Sequence, residues 1–170
     1  ATFLPIGAAF SVDAALAEEE GPRPRRVLNI ASAGLLLQAS YVYFFGAMMK
    51  RAPEWISHGS AVYAAMHNDA IATHLAHFVR QYAFVTQPLT FFVLWLEILT
   101  PLLLFAPMLN ARIRIVVLPL LIAMHIGFRL FLDIGAFWLV SIASLAPFIP
   151  AMFWDKIPSP DNAAARGKIS

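Results

Sequence analysis

Three ionisable side chains stand within or directly beside long apolar stretches of the chain: Lys50, Glu97 and His125. An ionisable group in such surroundings costs several kcal/mol unless it is paired, lines water or takes part in chemistry. A lysine held out of water releases its proton more readily and can act as a general base, while a carboxylate or an imidazole can receive the proton. These residue types allow a proton-transfer site with Lys50, His125 and Glu97 as candidate catalytic residues. For Lys50, the residues alone favour the simpler alternative, in which it only anchors a helix end.

The composition places these residues in a membrane protein. Of the 170 residues, 60% are hydrophobic and 13% are charged, and the mean hydropathy is +0.71, above the range of soluble domains. The net charge of +2 is small and spread over helix ends, which argues against nucleic acid as a partner. The absence of cysteine from the sequence excludes a thiolate nucleophile and a cysteine metal site. We therefore expect the lipid bilayer to be the main partner.

Apolar run length predicts an all-α integral membrane fold with about four transmembrane helices, because roughly 20 helical residues cross the hydrocarbon core. The spans are expected at 28–49, 84–106, 115–132 and 134–153. The last two should form a tight antiparallel hairpin around Asp133. The predicted organisation is an interfacial segment at 1–27 that follows an earlier helix, a transmembrane domain at 28–154 and a polar C-terminal tail at 155–170.

Lysine and arginine counts in the short flanks of the spans set the expected orientation. One side carries three basic residues, Lys50, Arg51 and Arg80. The other side carries eight, which are Arg23, Arg25, Arg26, Arg112, Arg114, Lys156, Arg166 and Lys168. The side with eight should be cytoplasmic. This places the C-terminus in the cytoplasm and the 51–83 connection outside, and we expect the membrane to be a bacterial inner membrane.

The connection after the first span has the pattern of an extracytoplasmic amphipathic helix over residues 60–82. The apolar face would carry Ile71, Leu75, Phe78, Val79 and Tyr82. The opposite face would carry His67, His74, His77 and Gln81. A spacing of three between His74 and His77 suits a metal ion, but a third ligand is needed. We therefore interpret the polar face as solvated and expect no metal site.

His125, Arg129 and Asp133 follow one another at intervals of four and stack on one face of the third span. They should share one half of the bilayer with Lys50, while Glu97 should lie near the midplane. The substrate pocket would then include Arg129 and Asp133. The structural alternative is that Arg129 pairs with Asp133, and that Glu97 is protonated or bonded to His125. A haem or pigment bound by His125 also stays open.

Several ordered stretches of the sequence resemble one protein family. They read YVYFFGAMMKRAPEWISHGSAVYAAM at 41–66, LEILTPLLLF at 96–105 and MHIGFRLFLDIGAFWLVSIASLAPF at 124–148, and the opening FLPIGAAFSVDAAL at 3–16 also fits. These stretches are similar to the HTTM (horizontally transferred transmembrane) family, a relative of the vitamin K-dependent gamma-carboxylase. The resemblance implies that further transmembrane helices precede Ala1, so that the chain would be the C-terminal part of a longer member.

The resemblance also implies a chemistry. In the carboxylase, a lysine ahead of a tryptophan is the proposed base that deprotonates a reduced quinone, and Lys50 and Trp55 occupy these places. The family's histidine falls at His125, and Trp55 would belong to the substrate pocket. Two functions follow as hypotheses. The chain is either a carboxylase-like membrane enzyme that uses a reduced quinone, or an accessory subunit packed with other membrane subunits in a respiratory or photosynthetic complex.

Overall fold

The computed structural model describes residues 30–105 and 110–154, and within these ranges the regular secondary structure is helical. In chain order the helices are α1 (Ile30–Met49), α2 (Pro53–Ile56), α3 (Ala61–Met66), α4 (His74–Val79), α5 (Ala83–Leu104), α6 (Asn110–Phe131), α7 (Phe137–Ser144), a 3₁₀ turn (Ala146–Phe148) and α8 (Ala151–Trp154). The chain divides into two compact units, of which Gln38–Pro150 holds every candidate site residue. The predicted interfacial segment at 1–27 and the polar tail at 155–170 lie outside the described residues.

Two long apolar helices, α5 and α6, form the centre of the larger unit and pack against each other. Each has 22 residues and is therefore about 33 Å long at ~1.5 Å per residue, enough to cross a bilayer. Their apolar stretches, Ala83–Leu104 and Ala111–Phe131, match the second and third predicted spans in length and composition. The hydroxyls of Thr90 and Thr100 donate to carbonyls one turn back, at 3.0 and 2.6 Å, which satisfies these buried polar groups within α5.

The prediction of four spans is confirmed only for these two. Helix α1 forms where the first span was expected, but its apolar stretch in the described residues, Ala33–Met49, is shorter than a full span. The fourth span, predicted at 134–153, is broken into α7, the 3₁₀ turn and α8. Pro147 and Pro150 explain the break, because proline lacks an N–H and clashes with the preceding helical turn. The apolar run was read correctly, but its helical continuity was not.

The turn between α6 and α7 lies where the hairpin was expected. Gly135 adopts φ +62°, a left-handed conformation that glycine takes without strain. Helix α7 packs against α6 on the other side of this turn. The two segments are therefore neighbours, although the second of them is only eight residues long.

The prediction of a single amphipathic helix over residues 60–82 is wrong. Helices α3 and α4 are separated by a turn whose backbone is bonded to the end of α6: Thr73 N donates to Phe131 O at 3.1 Å, and Thr73 Oγ1 donates to Leu130 O at 2.7 Å. Asp133 N donates in return to Ile71 O. These bonds replace the helical bonds that the periodic pattern implied, since a backbone group bonded elsewhere cannot continue the helix.

The faces of the connection differ from the prediction in part. The four polar residues expected on its outer face are exposed, namely His67, His74, His77 and Gln81. Leu75, Phe78 and Tyr82, which were expected on its apolar face, are also exposed, at 42%, 61% and 37%. Ala76 is instead the fully buried residue of α4. The short helix α4 therefore buries the small side chain of Ala76, while its large apolar side chains, Leu75 and Phe78, stay exposed.

The first part of the connection folds back along α5. Val62 N donates to Thr90 Oγ1 at 3.1 Å, and Gln87 Nε2 donates to His58 O at 3.4 Å. Between them Gly59 is buried at φ +64°, and a Cβ there would lie 2.7 Å from Phe91. Both the left-handed backbone and the close packing require glycine. This contact holds α2 and α3 against α5, where they form one wall of the candidate site.

Candidate functional site

An ion pair between Lys50 and Glu97 joins the end of α1 to the middle of α5. Lys50 Nζ donates to Glu97 Oε2 and, at 3.2 Å, to the carbonyl oxygen of Gly46. The side chains are 19% and 8% exposed. The paired groups together carry no net charge, which lowers the cost of holding them away from water. The first two predicted catalytic residues thus meet directly, and Lys50 bends back towards α5.

Gly46 provides the space for this pair. A Cβ at this position would lie 3.2 Å from Glu97 Oε2 and 3.7 Å from Lys50 Nζ. Any side chain on α1 at this point would push against the carboxylate. Gly46 was not identified from the sequence, although it precedes Lys50 by four residues and so shares its helical face.

Trp55 covers the other side of the Lys50 ammonium group. The nitrogen lies 5.1 Å from the centre of the indole ring, within the range of a cation–π contact. Helix α2, which carries the tryptophan, begins at Pro53, a residue suited to the first helical position because its missing N–H has no helical partner there. Backbone bonds from His58 N to Pro53 O and from Ser60 N to Glu54 O close the turn behind it.

Lys50 and Trp55 also line a cavity of about 450 Å³ between α3, α5 and α6. The walls are aliphatic, small or aromatic, and Lys50 is the one charged residue among those that line it. The aromatic residues of the wall are Trp55, Phe92, Phe128, Phe131 and Phe137. A volume of this size is within the range of binding sites for small organic molecules. The cavity is therefore apolar with one cationic corner.

His125 lies behind this wall and is not one of the residues that line the cavity. It is 3% exposed, and its Nε2 is 3.1 Å from the hydroxyl of Tyr43 on α1. Its ring packs against Phe128 and Phe137, with centroids 5.8 and 5.9 Å away. The structure therefore gives His125 the partner that its depth required, but the partner is Tyr43. Tyr43 was not identified from the sequence.

The remaining residues predicted for the pocket lie outside it. Arg129 and Asp133 are exposed, pair with each other at 4.0 Å one turn apart, and are absent from the cavity wall. This is the structural alternative considered for the two residues. Of the predicted pocket residues, Trp55 contributes to the wall and these two do not.

The histidine-bearing part of the connection has an ion pair of its own, between Asp69 and Arg80. Asp69 lies 3.3 Å from Arg80 and 3.8 Å from His77. In the described parts of the chain no three histidine or carboxylate side chains are grouped as metal ligands.

Comparison with known proteins gives one match. A family model described as the HTTM domain matches residues 1–154. No curated protein and no solved structure was found to match the chain. The match covers both long apolar helices and all of the residues that form the cavity, and together these features indicate a membrane protein.

Proposed function

Because the chain belongs to the HTTM family of carboxylase-like membrane proteins, we propose that it binds a reduced quinone in the apolar cavity and removes a proton from it. Lys50 is the group that touches the quinol hydroxyl and takes the proton. Glu97 holds the proton that Lys50 must lose before it can act as a base. Trp55 forms part of the wall against which the ring lies.

The single observation that carries this proposal is the position of Lys50 at the charged corner of an otherwise apolar, aromatic-lined cavity. A quinol has a flat ring, acidic hydroxyls and an apolar tail. Aromatic side chains favour contact with such a ring, and the corner at Lys50 is where a hydroxyl finds a polar partner. An anchoring lysine would extend towards lipid headgroups, whereas Lys50 turns back to Gly46 and Glu97.

The ion pair makes proton removal possible because its one mobile proton has two positions. With the proton on Lys50 the pair is ammonium and carboxylate; with the proton on Glu97 it is amine and carboxylic acid. In the second arrangement the neutral amine faces the quinol. The O–H bond of the quinol then breaks and an N–H bond forms on Lys50. The pair gains one positive charge, which balances the negative charge on the quinolate beside it.

Lys50→Arg tests the proposal, because arginine keeps the positive charge but does not release its proton near neutral pH. The probe is a short-tailed reduced naphthoquinone, added to membranes that contain the intact protein. Deprotonated quinol reacts faster with dioxygen, to give quinone and hydrogen peroxide, so quinol oxidation reports the proton removal. We expect oxidation in the wild type and its loss in Lys50→Arg and Lys50→Ala, per amount of folded protein. Full activity in Lys50→Arg would make the residue an anchor.

One observation favours the accessory-subunit hypothesis as a second candidate. Helix α1 exposes a run of large apolar side chains, which are Tyr41, Val42, Phe44, Phe45, Met48 and Met49. Such a surface suits lipid or another membrane subunit. If the wild type oxidises no more quinol than membranes without it, and it purifies only together with other membrane proteins, the accessory role replaces the enzymatic one.

A further inference from the structure

Helix α6 turns one face to the cavity, and a glycine lies at the centre of that face. The residues of α6 that line the cavity are Ala123, Met124, Gly127, Phe128 and Phe131. They follow one another at intervals of one and three residues, which puts them on one side of the helix. Gly127 lies one turn from Ala123 and one turn from Phe131. A side chain at position 127 would therefore point into the cavity.

The fold itself gives no reason for a glycine at this position. Gly46 leaves room for the Glu97 carboxylate, while Gly59 and Gly135 have left-handed backbones. Gly127 is not left-handed, and a Cβ placed on it would meet no atom of the described chain within 4 Å. Glycine is the least favourable residue inside a helix after proline. The cost of this glycine in α6 is therefore explained by the cavity and not by packing within the chain.

Gly127 and Ala123 together form a recess in the wall that α6 contributes. They are one turn apart on the same side of the helix, and the large side chains of Met124, Phe128 and Phe131 border them. A glycine allows another group to approach the helix backbone closely. A flat ring can lie against the bare backbone at Gly127 while the neighbouring aromatic rings contact its edges. The recess thus has the shape that a planar ligand needs.

We infer that Gly127 contacts the ring of the ligand in the cavity and determines which ring sizes bind. The identity of that ligand as a quinone rests on the proposed function. Gly127 contributes space and takes no part in proton transfer, because the charged corner of the cavity is at Lys50. A methyl group at position 127 would occupy the place of the ring, so it should weaken binding without disturbing the protein.

Gly127→Ala tests this inference through binding, measured on the intact chain in lipid vesicles. The probe is the oxidised form of the short-tailed naphthoquinone, which has no hydroxyl proton to lose and which quenches tryptophan fluorescence. Trp55 lies in the cavity wall and is kept as the fluorophore. The other three tryptophans are replaced by phenylalanine in every variant; they are Trp95, Trp138 and Trp154.

We expect Gly127→Ala to weaken naphthoquinone binding and to stabilise the protein. One extra methylene group in a hydrophobic pocket changes affinity by roughly 10–200-fold, so the loss should be at least about tenfold. The unfolding temperature should rise, because alanine favours the helix and its methyl group meets no neighbour. Gly34→Ala is the matched control, since Gly34 also lies in a helix with open surroundings. It should raise the unfolding temperature and leave binding unchanged.

A second probe, a single-ring benzoquinone with the same tail, separates lost space from a damaged site. Its smaller ring should tolerate the methyl group, so its affinity should fall less than that of the naphthoquinone. Unchanged naphthoquinone binding in Gly127→Ala, equal losses for the two probes, or a lower unfolding temperature would refute the role of Gly127. A wild type that binds neither probe would overturn both this inference and the proposed function. If binding follows the expected pattern but Lys50→Arg keeps full quinol oxidation, the proposed function alone is wrong.

Discussion

Gly46→Ala should separate activity from stability. The new methyl group would lie 3.2 Å from Glu97 Oε2, closer than ordinary van der Waals contact, so the carboxylate must give way by a few tenths of an ångström. A hydrogen bond to a charged group contributes about 1.5–3 kcal/mol, and lengthening it loses part of that. Alanine in a helix interior is favoured over glycine by about 0.8–1.0 kcal/mol. The two terms oppose each other, and we expect the net change in stability to be within ~1 kcal/mol.

The effect of Gly46→Ala on activity has no compensating term, because helix propensity does not restore the position of the carboxylate. A misplacement of about 1 Å in a catalytic group reduces turnover by roughly 100-fold, so a few tenths of an ångström should reduce quinol oxidation by about three- to tenfold. Gly34→Ala is the control, since it lies on the same helix and its Cβ would meet nothing within 4 Å. The assays are thermal unfolding in detergent and quinol oxidation in membranes. Equal turnover in the two variants would refute the idea that Gly46 sets the geometry of the pair.

Three further predictions follow from other parts of the fold. Glu97→Leu leaves Lys50 buried without its partner and should lower the free energy of unfolding by about 3–5 kcal/mol. The double change Lys50→Met with Glu97→Leu should recover most of this loss. Similar unfolding temperatures for the single and the double variant would contradict this expectation. Gly59→Ala should lower the unfolding temperature clearly more than Gly135→Ala, because both have left-handed backbones but only Gly59 meets side-chain atoms, at 2.7 Å; equal losses would show that packing there is loose. A tag inserted near Asn68 should react with an impermeant reagent in intact cells, with the C-terminus protected; labelling only after the membrane is breached would invert the orientation.

The sequence predicted two of the long helices and three ionisable side chains that the structure holds wholly or partly away from water, because both follow from local physics. Apolar run length identified α5 and α6, and the cost of burying charge identified Lys50, Glu97 and His125. The partners of these residues depend on tertiary structure. Lys50 was expected at the outer end of its helix and Glu97 deeper, but α1 ends beside Glu97 and the following connection runs back along α5. Depth counted from apolar runs could not show this.

Other features were present in the sequence but were outweighed by stronger patterns. Pro147 and Pro150 interrupt the predicted fourth span, yet the apolar run around them is long enough to look continuous. Tyr43 looks like an ordinary aromatic residue of a membrane helix, and nothing local in the sequence shows that its hydroxyl meets His125. Asn68 and Thr73 interrupt the amphipathic pattern with side chains that bond the backbone at Ala70 and Ala76. Such local bonds end helices that periodicity alone would extend.

The segment that carries α3 is fastened at both ends. At Gly59 it fits against α5, and at Ile71–Thr73 its backbone is bonded to the last residues of α6. The segment therefore bridges the two long helices, and its residues line one side of the cavity. The contacts at its two ends oppose a change in the separation of α5 and α6 beside the cavity. We therefore expect the cavity to accept a flat ring more readily than a ligand with bulk on both ring faces, whose entry would break a hydrogen bond at one end of this segment.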